Sequence, residues 1–262
     1  MNDIKKPAYT SLAEIYDTVM QDVDYEVWAD FIDEIIQVHH PNPETVLELA
    51  CGTGSLAFAL NRYGCYKLMG TDKSAEMIAK ARQKASRQNA DITFREMDFL
   101  DIDLDKKFDI VVSIFDSVNY LHSADEVRKM LEQTYELMQP YSLFIFDFTT
   151  PKNSVEAIDY LDNESGITAD NYKFFRKSRY DEKQQIHYNL FEIEKLSDDQ
   201  QEVLERYTEE HRQRTYSLTE MQEIVATTDF ELVANYNEFD LDEATPESLR
   251  ITMVLRCPNT PS

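Results

Sequence analysis

The sequence predicts an α/β protein built on a doubly wound, mostly parallel sheet, followed by an antiparallel β insert. Three observations carry this. Short runs at 46–50, 66–70, 92–95, 108–114 and 143–148 are apolar on both faces, as strands covered by helices on either side must be. Helical periodicity falls between these runs for about a hundred residues, the alternation that builds parallel sheets through right-handed crossovers. Beyond Pro151 the texture changes to aromatic and β-branched segments separated by polar turns.

The elements follow in order. Leu12, Ile15, Tyr16 and Val19 share one helical face and Tyr25, Trp28, Ile32 and Ile35 another, so residues 1–42 read as a helical cap stopped by Pro41 and Pro43. Residues 43–150 and 217–257 form the α/β core. Within it, Ser74 caps a helix carrying Ile78, Ala81 and Ala85. The capping box Ser123-Ala-Asp-Glu126 opens another, with Val127, Met130, Leu131, Leu137 and Met138, which Pro140 stops. Residues 151–216 form the insert, with strands at 172–180, 186–194 and 203–214 around turns at Asp181-Glu182 and Ser197-Asp198-Asp199. A second capping box, Ser217-Leu-Thr-Glu220, leads into a helix with Met221, Ile224 and Val225; strands near 230–239 and 249–257 and a loose tail at 258–262 finish the chain.

Composition restricts the function. Of 262 residues, 26 are Lys or Arg and 50 are Asp or Glu, a net charge of −24, and no region is basic: residues 1–150, 151–216 and 217–262 carry −12, −5 and −7. Such a surface argues against nucleic acid and anionic membranes as partners, because both need Lys and Arg to neutralise phosphate. Lys173, Arg176, Lys177 and Arg179 lie close together, but Asp181 and Glu182 follow, and the cluster reads as a solvated strand face. Cys51, Cys65 and Cys257 are odd in number and lack metal-ligand spacing. With no apolar leader segment and no run long enough to span a bilayer, the expectation is a cytoplasmic protein without a metal.

Only 5 residues are glycine, and two of them form Gly52-Thr-Gly54 between the first buried strand and a helix. Glycine there permits a tight turn and brings a ligand close to the helix amino terminus. The stretch from Gly52 to Ala57 fits G-x-G-x-x-A, which leaves a nicotinamide or flavin dinucleotide open, with Asp72 at the next strand end placed to hold a ribose diol. Glu48 argues otherwise. A carboxylate inside a buried strand repels a pyrophosphate and favours a ligand carrying ammonium and sulfonium charges.

Together these residues resemble the class I S-adenosylmethionine-dependent methyltransferases. Val-Leu-Glu48-Leu-Ala-Cys-Gly52-Thr-Gly54 is similar to their first motif, Gly70-Thr-Asp72-Lys-Ser to their second, and Met97-Asp98-Phe99 to their third. The run from Phe108 through Asp116, Asn119 and Tyr120 is similar to their fourth. The resemblance implies a Rossmann-like, seven-stranded methyltransferase fold with the insert as a substrate lid, and S-adenosyl-L-methionine as cofactor. It implies that Glu48, Ala50, Gly52 and Gly54 cradle the methionine moiety and Asp72 the ribose. Lys73 and Met77 would flank the adenine, Asp98 would accept its amine, and Phe99 would lie beside it. Phe115 and Asp116 would stand nearest the methyl group; of Tyr9, Tyr16 and Trp28 near the amino terminus, which could close over the cofactor, Tyr9 is the better contact, Trp28 reads as a core residue, and Tyr16 fits either role. Two positions depart from the family pattern: Ala50 stands where glycine is frequent, and Pro140-Tyr-Ser replaces a Pro-Gly-Gly loop.

For the acceptor, methyl transfer is an in-line displacement that asks mainly for alignment, and for a base only when the nucleophile must lose a proton. The segment from Glu210 to Tyr216 resembles one that returns to the active-site mouth in related enzymes. His211 is therefore the candidate base and Arg214 the candidate anchor for an acidic acceptor, beside Asn119 and Tyr120. The expected partner is a small-molecule methyl acceptor; RNA would need a basic surface that the chain lacks. A dinucleotide oxidoreductase and a non-catalytic nucleoside sensor are the competing readings.

Overall fold

The computed structural model describes residues 4–40 and 42–258; Pro41, used above as a helix stop, and the tail from 259 onward lie outside it. Strand β1 (Ile4–Lys5) precedes a 3-10 turn at Leu12–Glu14, then α1 (Tyr16–Val19) and α2 (Tyr25–His39). Asp24 caps α2 by accepting the Glu26 and Val27 amides, and its inner stripe of Trp28, Ile32, Ile35 and Ile36 is buried. The alternating region follows: β2 (Thr45–Leu49), α3 (Ser55–Asn61), β3 (Lys67–Asp72), α4 (Ala75–Gln88), β4 (Ile92–Glu96), β5 (Phe108–Ser113), a 3-10 turn at Ser117–Tyr120, α5 (Ala124–Glu136) and β6 (Met138–Thr149). Then come α6 (Pro151–Leu161), β7 (Ser165–Ile167), β8 (Tyr172–Asp181), β9 (Ile186–Leu196), β10 (Val203–Arg214), α7 (Leu218–Val225), β11 (Glu231–Asn237) and β12 (Arg250–Arg256).

The core sheet has seven strands in the order β11-β12-β6-β5-β2-β3-β4, with β12 alone running against the others. Both faces are covered. Leu143 and Ile145 of β6 join the core under α2 and α3, while Phe144, Phe146 and Phe148 join the one under α5 and α7, and all five are fully buried. This explains the continuous apolar run. β2 has β3 on one side and β5 on the other, so the chain order reverses at its carboxyl end and a crevice opens there.

A second sheet, β1-β10-β9-β8-β7, stands over that crevice, with β8, β9 and β10 as an antiparallel meander. Three expectations need correction. The first residues of the chain are not wholly helical, since Ile4–Lys5 pairs parallel with β10 at Tyr207 and Thr208. Residues 151–161 form a helix, opened by the Thr150 hydroxyl accepting the Asn153 amide and by Pro151 in its first turn, where a missing N–H costs nothing. Pro140 does not end α5, which stops at Glu136; it lies in the irregular start of β6, where register slips between the Phe108 and Ile110 pairs and no ladder amide is needed.

Candidate functional site

The turn from β2 into α3 builds one wall of a cavity of about 710 Å³. Ala50, Gly52 and Gly54 all have positive φ, +53°, +54° and +83°. The alanine therefore occupies a conformation that costs an L-residue roughly 1–2 kcal/mol, which is why glycine suits this position better. At Gly54 a Cβ would also stand 2.6 Å from the Phe94 ring, so any side chain would have to displace that ring. The Gly52 amide donates to Asp72 Oδ2 at 2.8 Å and the Ser74 amide to Asp72 Oδ1 at 2.8 Å. Asp72 thus ties the glycine turn to the start of α4 as well as lining the cavity, and burial raises its pKa.

Glu48 is buried in the wall of this cavity and its Oε2 has no hydrogen-bond partner among the described residues. Burial pushes the carboxyl up to about 8; the Ala57 amide opposes the rise and the Asp72 charge adds to it. A buried acceptor left open in a cavity wall suits a cationic ligand group, and an ammonium there would favour the ionised form. The residues present fit S-adenosylmethionine: an open carboxylate, a glycine turn and a strand-end aspartate share one cavity. Lys73, Met77, Asp98, Phe99, Phe115 and Tyr9 line it too, with Lys73 Nζ paired to Asp98 at 2.6 Å. Cys51 is a buried filler, its thiol pKa raised by burial.

A second cavity of about 560 Å³ lies between the core and the meander, and Tyr9, Tyr16, Phe115 and Tyr120 line both. Trp28 is buried, as expected of a core residue, and also borders this second space. The amino-terminal segment straps the junction. The Ser74 hydroxyl donates to the Tyr9 carbonyl at 2.8 Å, and Thr53 Oγ1 to Asp17 at 2.7 Å. From the insert side, the buried Glu209 accepts the Ser11 amide and, at 3.0 Å, the Leu12 amide.

Two hydrogen bonds and one longer polar contact run through the junction. Tyr9 Oη lies 2.7 Å from Tyr120 Oη, Tyr120 Oη 2.9 Å from His211 Nδ1, and His211 Nε2 3.5 Å from Glu209 Oε2. With Nδ1 as the acceptor, Tyr120 donates to His211 and accepts from Tyr9, while His211 Nε2 and Glu209 Oε2 are buried without a hydrogen bond among the described residues. Glu209 was not foreseen; its period-2 relation to His211 on one strand was the available signal.

Three expected site residues sit elsewhere. Asn119 is fully buried and lines neither cavity: its Nδ2 donates to the Thr149 and Arg214 carbonyls at 3.0 and 2.7 Å, and its Oδ1 accepts the Thr149 amide at 3.0 Å. It pins the fourth-motif turn to β6 and β10. Arg214 also lines neither cavity, because its guanidinium pairs with Glu220 at 2.5 Å and lies over the Tyr216 ring. Asp116 faces the second cavity rather than the first, held by Arg250 at 2.7 Å and by Gln213. Arg250 also pairs with the buried Asp147, and the two carboxylates raise the pKa of the guanidinium against its burial. Gly54 acts through its backbone and does not line the cavity.

A reversed strand order with a glycine turn and strand-end acids at the crevice defines a nucleoside-binding α/β enzyme, and residues 46–141 match the family model described as "Methyltransferase domain". The chain is a methyltransferase whose motifs resemble those of the class I family, and its cofactor is S-adenosylmethionine. It is 28% identical to YqeM of Bacillus subtilis (strain 168), a protein named as a methyltransferase, over 93% of this chain and 94% of that one. It is 28% identical to a dTDP-3-amino-3,4,6-trideoxy-alpha-D-glucopyranose N,N-dimethyltransferase of Streptomyces venezuelae over 52% of this chain and 56% of that one. Its fold is similar to a crystal structure of an S-adenosylmethionine-dependent methyltransferase from Clostridium acetobutylicum ATCC 824, with a TM-score of 0.77, 22% identity, and coverage of 96% and 99% of the two chains. Among the described residues no helix is long and apolar enough to cross a membrane.

Proposed function

We propose that this enzyme methylates a small-molecule acceptor held in the second cavity, with the insert and the amino-terminal strap as its lid. The observation that carries the reading is the shared wall: two cavities meet at Tyr9, Tyr16, Phe115 and Tyr120, so a donor in one and an acceptor in the other face each other there. When bound, S-adenosylmethionine supplies a methyl group already activated on a cationic sulfur. Glu48 holds its ammonium, Asp72 its ribose hydroxyls, and Asp98, Phe99, Met77 and Lys73 border its base.

The chain's own residues then supply alignment and a path for a proton. Phe115, at φ +60° and packed on Trp28 and Tyr25, limits the space at the junction and excludes water. A nucleophile beside Tyr120 passes its proton to the phenolic oxygen as Tyr120 passes its own to His211 Nδ1. The resulting imidazolium is stabilised by Glu209. The aminosugar specificity of the Streptomyces relative suggests an amine or hydroxyl acceptor of similar size.

The test is calorimetric binding of S-adenosylhomocysteine to wild type and Asp72→Ala, with methylation of a metabolite extract and of total RNA measured using labelled S-adenosylmethionine. Binding weakened more than about tenfold in Asp72→Ala, with label entering small molecules, is expected. Label entering only RNA, or no binding of either nucleoside, overturns the reading.

A further inference from the structure

The register of the meander arranges its inner face as a grid. Arg176 lies opposite Phe191 and Phe191 opposite Glu209; Ser178 lies opposite Asn189 and Asn189 opposite His211; Tyr180 lies opposite His187 and His187 opposite Gln213. Of these nine, Arg176, His187, Asn189, Phe191, His211 and Gln213 line the second cavity. Strand alternation therefore turns Arg176 inward while Lys173, Lys177 and Arg179 face out, which corrects the reading of that cluster as one solvated face.

Two donor groups in this grid are unspent. Glu164 lies against Arg176 Nε at 3.2 Å but is not in the cavity wall, and among the described residues no group hydrogen-bonds the terminal guanidinium nitrogens. Phe191 supports the guanidinium at 4.7 Å from its ring centre. Asn189 is oriented by a chain of its own: the Ser178 hydroxyl donates to its Oδ1 at 2.8 Å, His187 Nε2 lies 2.6 Å from that hydroxyl, and His187 Nδ1 lies 3.0 Å from the Ser154 hydroxyl. Fixing Oδ1 on Ser178 leaves the Asn189 NH2 without a hydrogen bond among the described residues, in a residue 8% exposed. Burial lowers the pKa of His187, so it serves this chain as a neutral ring. Three carboxylates border the cavity: Asp22 and Asp24, which are exposed, and Asp116, which pairs with the Arg250 guanidinium that also pairs with the buried Asp147.

We infer that Arg176 and Asn189 form an anion subsite, and that the methyl acceptor is an anionic small molecule whose carboxylate or phosphate is held there while its nucleophile reaches Tyr120. The inference rests on the second cavity being the acceptor site. The Phe191 ring is 4.7 Å from the Arg176 guanidinium and 5.5 Å from the His211 ring, so the anion and the proton path lie within about 10 Å of each other, the span of a metabolite. A guanidinium and an amide offer a carboxylate or phosphate oxygen pair parallel N–H donors, which a neutral group cannot use as well.

The test uses acetate, inorganic phosphate and acetamide as probes, titrated into the full chain with and without saturating S-adenosylhomocysteine. Binding is followed by calorimetry and by the Arg176 Nε–H resonance. Saturable binding of acetate or of phosphate but not acetamide is expected; acetate alone assigns a carboxylate acceptor and phosphate alone a phosphomonoester. Arg176→Gln should weaken it at least about tenfold. Asn189→Asp, which keeps the Ser178 bond but places a like charge in the subsite, should do the same if Arg176→Gln does not fold. Acetamide binding as well as the anions, no anion binding to the wild type, or unchanged affinity in the folded variants overturns the inference. Failure of S-adenosylhomocysteine to bind would instead count against the first-cavity reading, because the anion titrations are also made without it.

Discussion

Replacing Glu48 by glutamine tests how a buried acid serves a cationic ligand. Burial raises this carboxyl from 4.5 to about 8, so between those values the folded chain binds a proton that the unfolded chain has lost. Stability falls as pH rises wherever the native state holds more protons, at about 1.4 kcal/mol per pH unit. The wild type therefore gives up about 3 kcal/mol between pH 4.5 and pH 7, and roughly 4 by pH 8, through this one group. Glutamine cannot ionise, so Glu48→Gln should remove that slope and be the more stable protein at pH 8. It should also bind S-adenosylmethionine at least about tenfold more weakly, having lost a charge-assisted bond. In the wild type, binding must displace the Glu48 proton. Affinity should then rise by about tenfold per pH unit from roughly pH 5.5 to 7.5, above which the ligand's own α-amino group begins to lose its charge. Urea denaturation at several pH values and titration calorimetry in buffers of different ionisation enthalpy measure both halves. Parallel stability curves for the two proteins, or wild-type affinity independent of pH, would refute the assignment of Glu48 as a neutral buried acid that ionises on binding.

Other substitutions probe the remaining parts. Arg250→Gln strands the buried Asp147 and half-buried Asp116, and a fall of roughly 3–5 kcal/mol in urea denaturation is expected. Tyr120→Phe cuts the path from the junction to His211, so kcat should fall by about 10²-fold or more with KM little changed, provided the assay uses an acceptor that must lose a proton. His211→Gln should match it, and an unchanged kcat in both would remove the proton path from the mechanism. Gly54→Ala forces a Cβ into Phe94 at positive φ and should lower stability by about 1–3 kcal/mol, read as a lower Tm. Ala50→Gly relaxes the neighbouring left-handed residue and should leave the Tm unchanged or slightly higher.

How much was legible in the sequence depended on whether a residue acts through its neighbours in the chain. The runs at 46–50 and 108–114 identify buried strands because two covered faces leave no polar alternation. The caps at Ser74, Ser123 and Ser217 mark helix starts because a hydroxyl and an amide three residues on are bonded locally. Glycine scarcity made Gly52-Thr-Gly54 conspicuous, and an acid in an apolar strand made Glu48 so. Ile4–Lys5 could not be read as a strand, because two residues form one only when β10, about two hundred positions later, offers its edge.

The acceptor side belongs to tertiary structure for the same reason. Arg214 and Asn119 have suitable chemistry and lie near the right motif, yet Arg214 pairs with Glu220 and Asn119 bonds the backbone of Thr149 and Arg214, and both lie outside the cavities, which no spacing reveals. By spacing alone Arg176 was one of four equivalent surface cations; strand parity puts it on the cavity face of β8, opposite Phe191 and one pair along from Asn189. Motifs within one strand–turn–helix unit determined the class of cofactor, because that ligand is held largely by one local turn and adjacent strand ends. The acceptor cavity is made where three distant segments meet, the strap, the fourth-motif turn and the meander, and only their packing decided which side chains were left unpaired to receive a substrate.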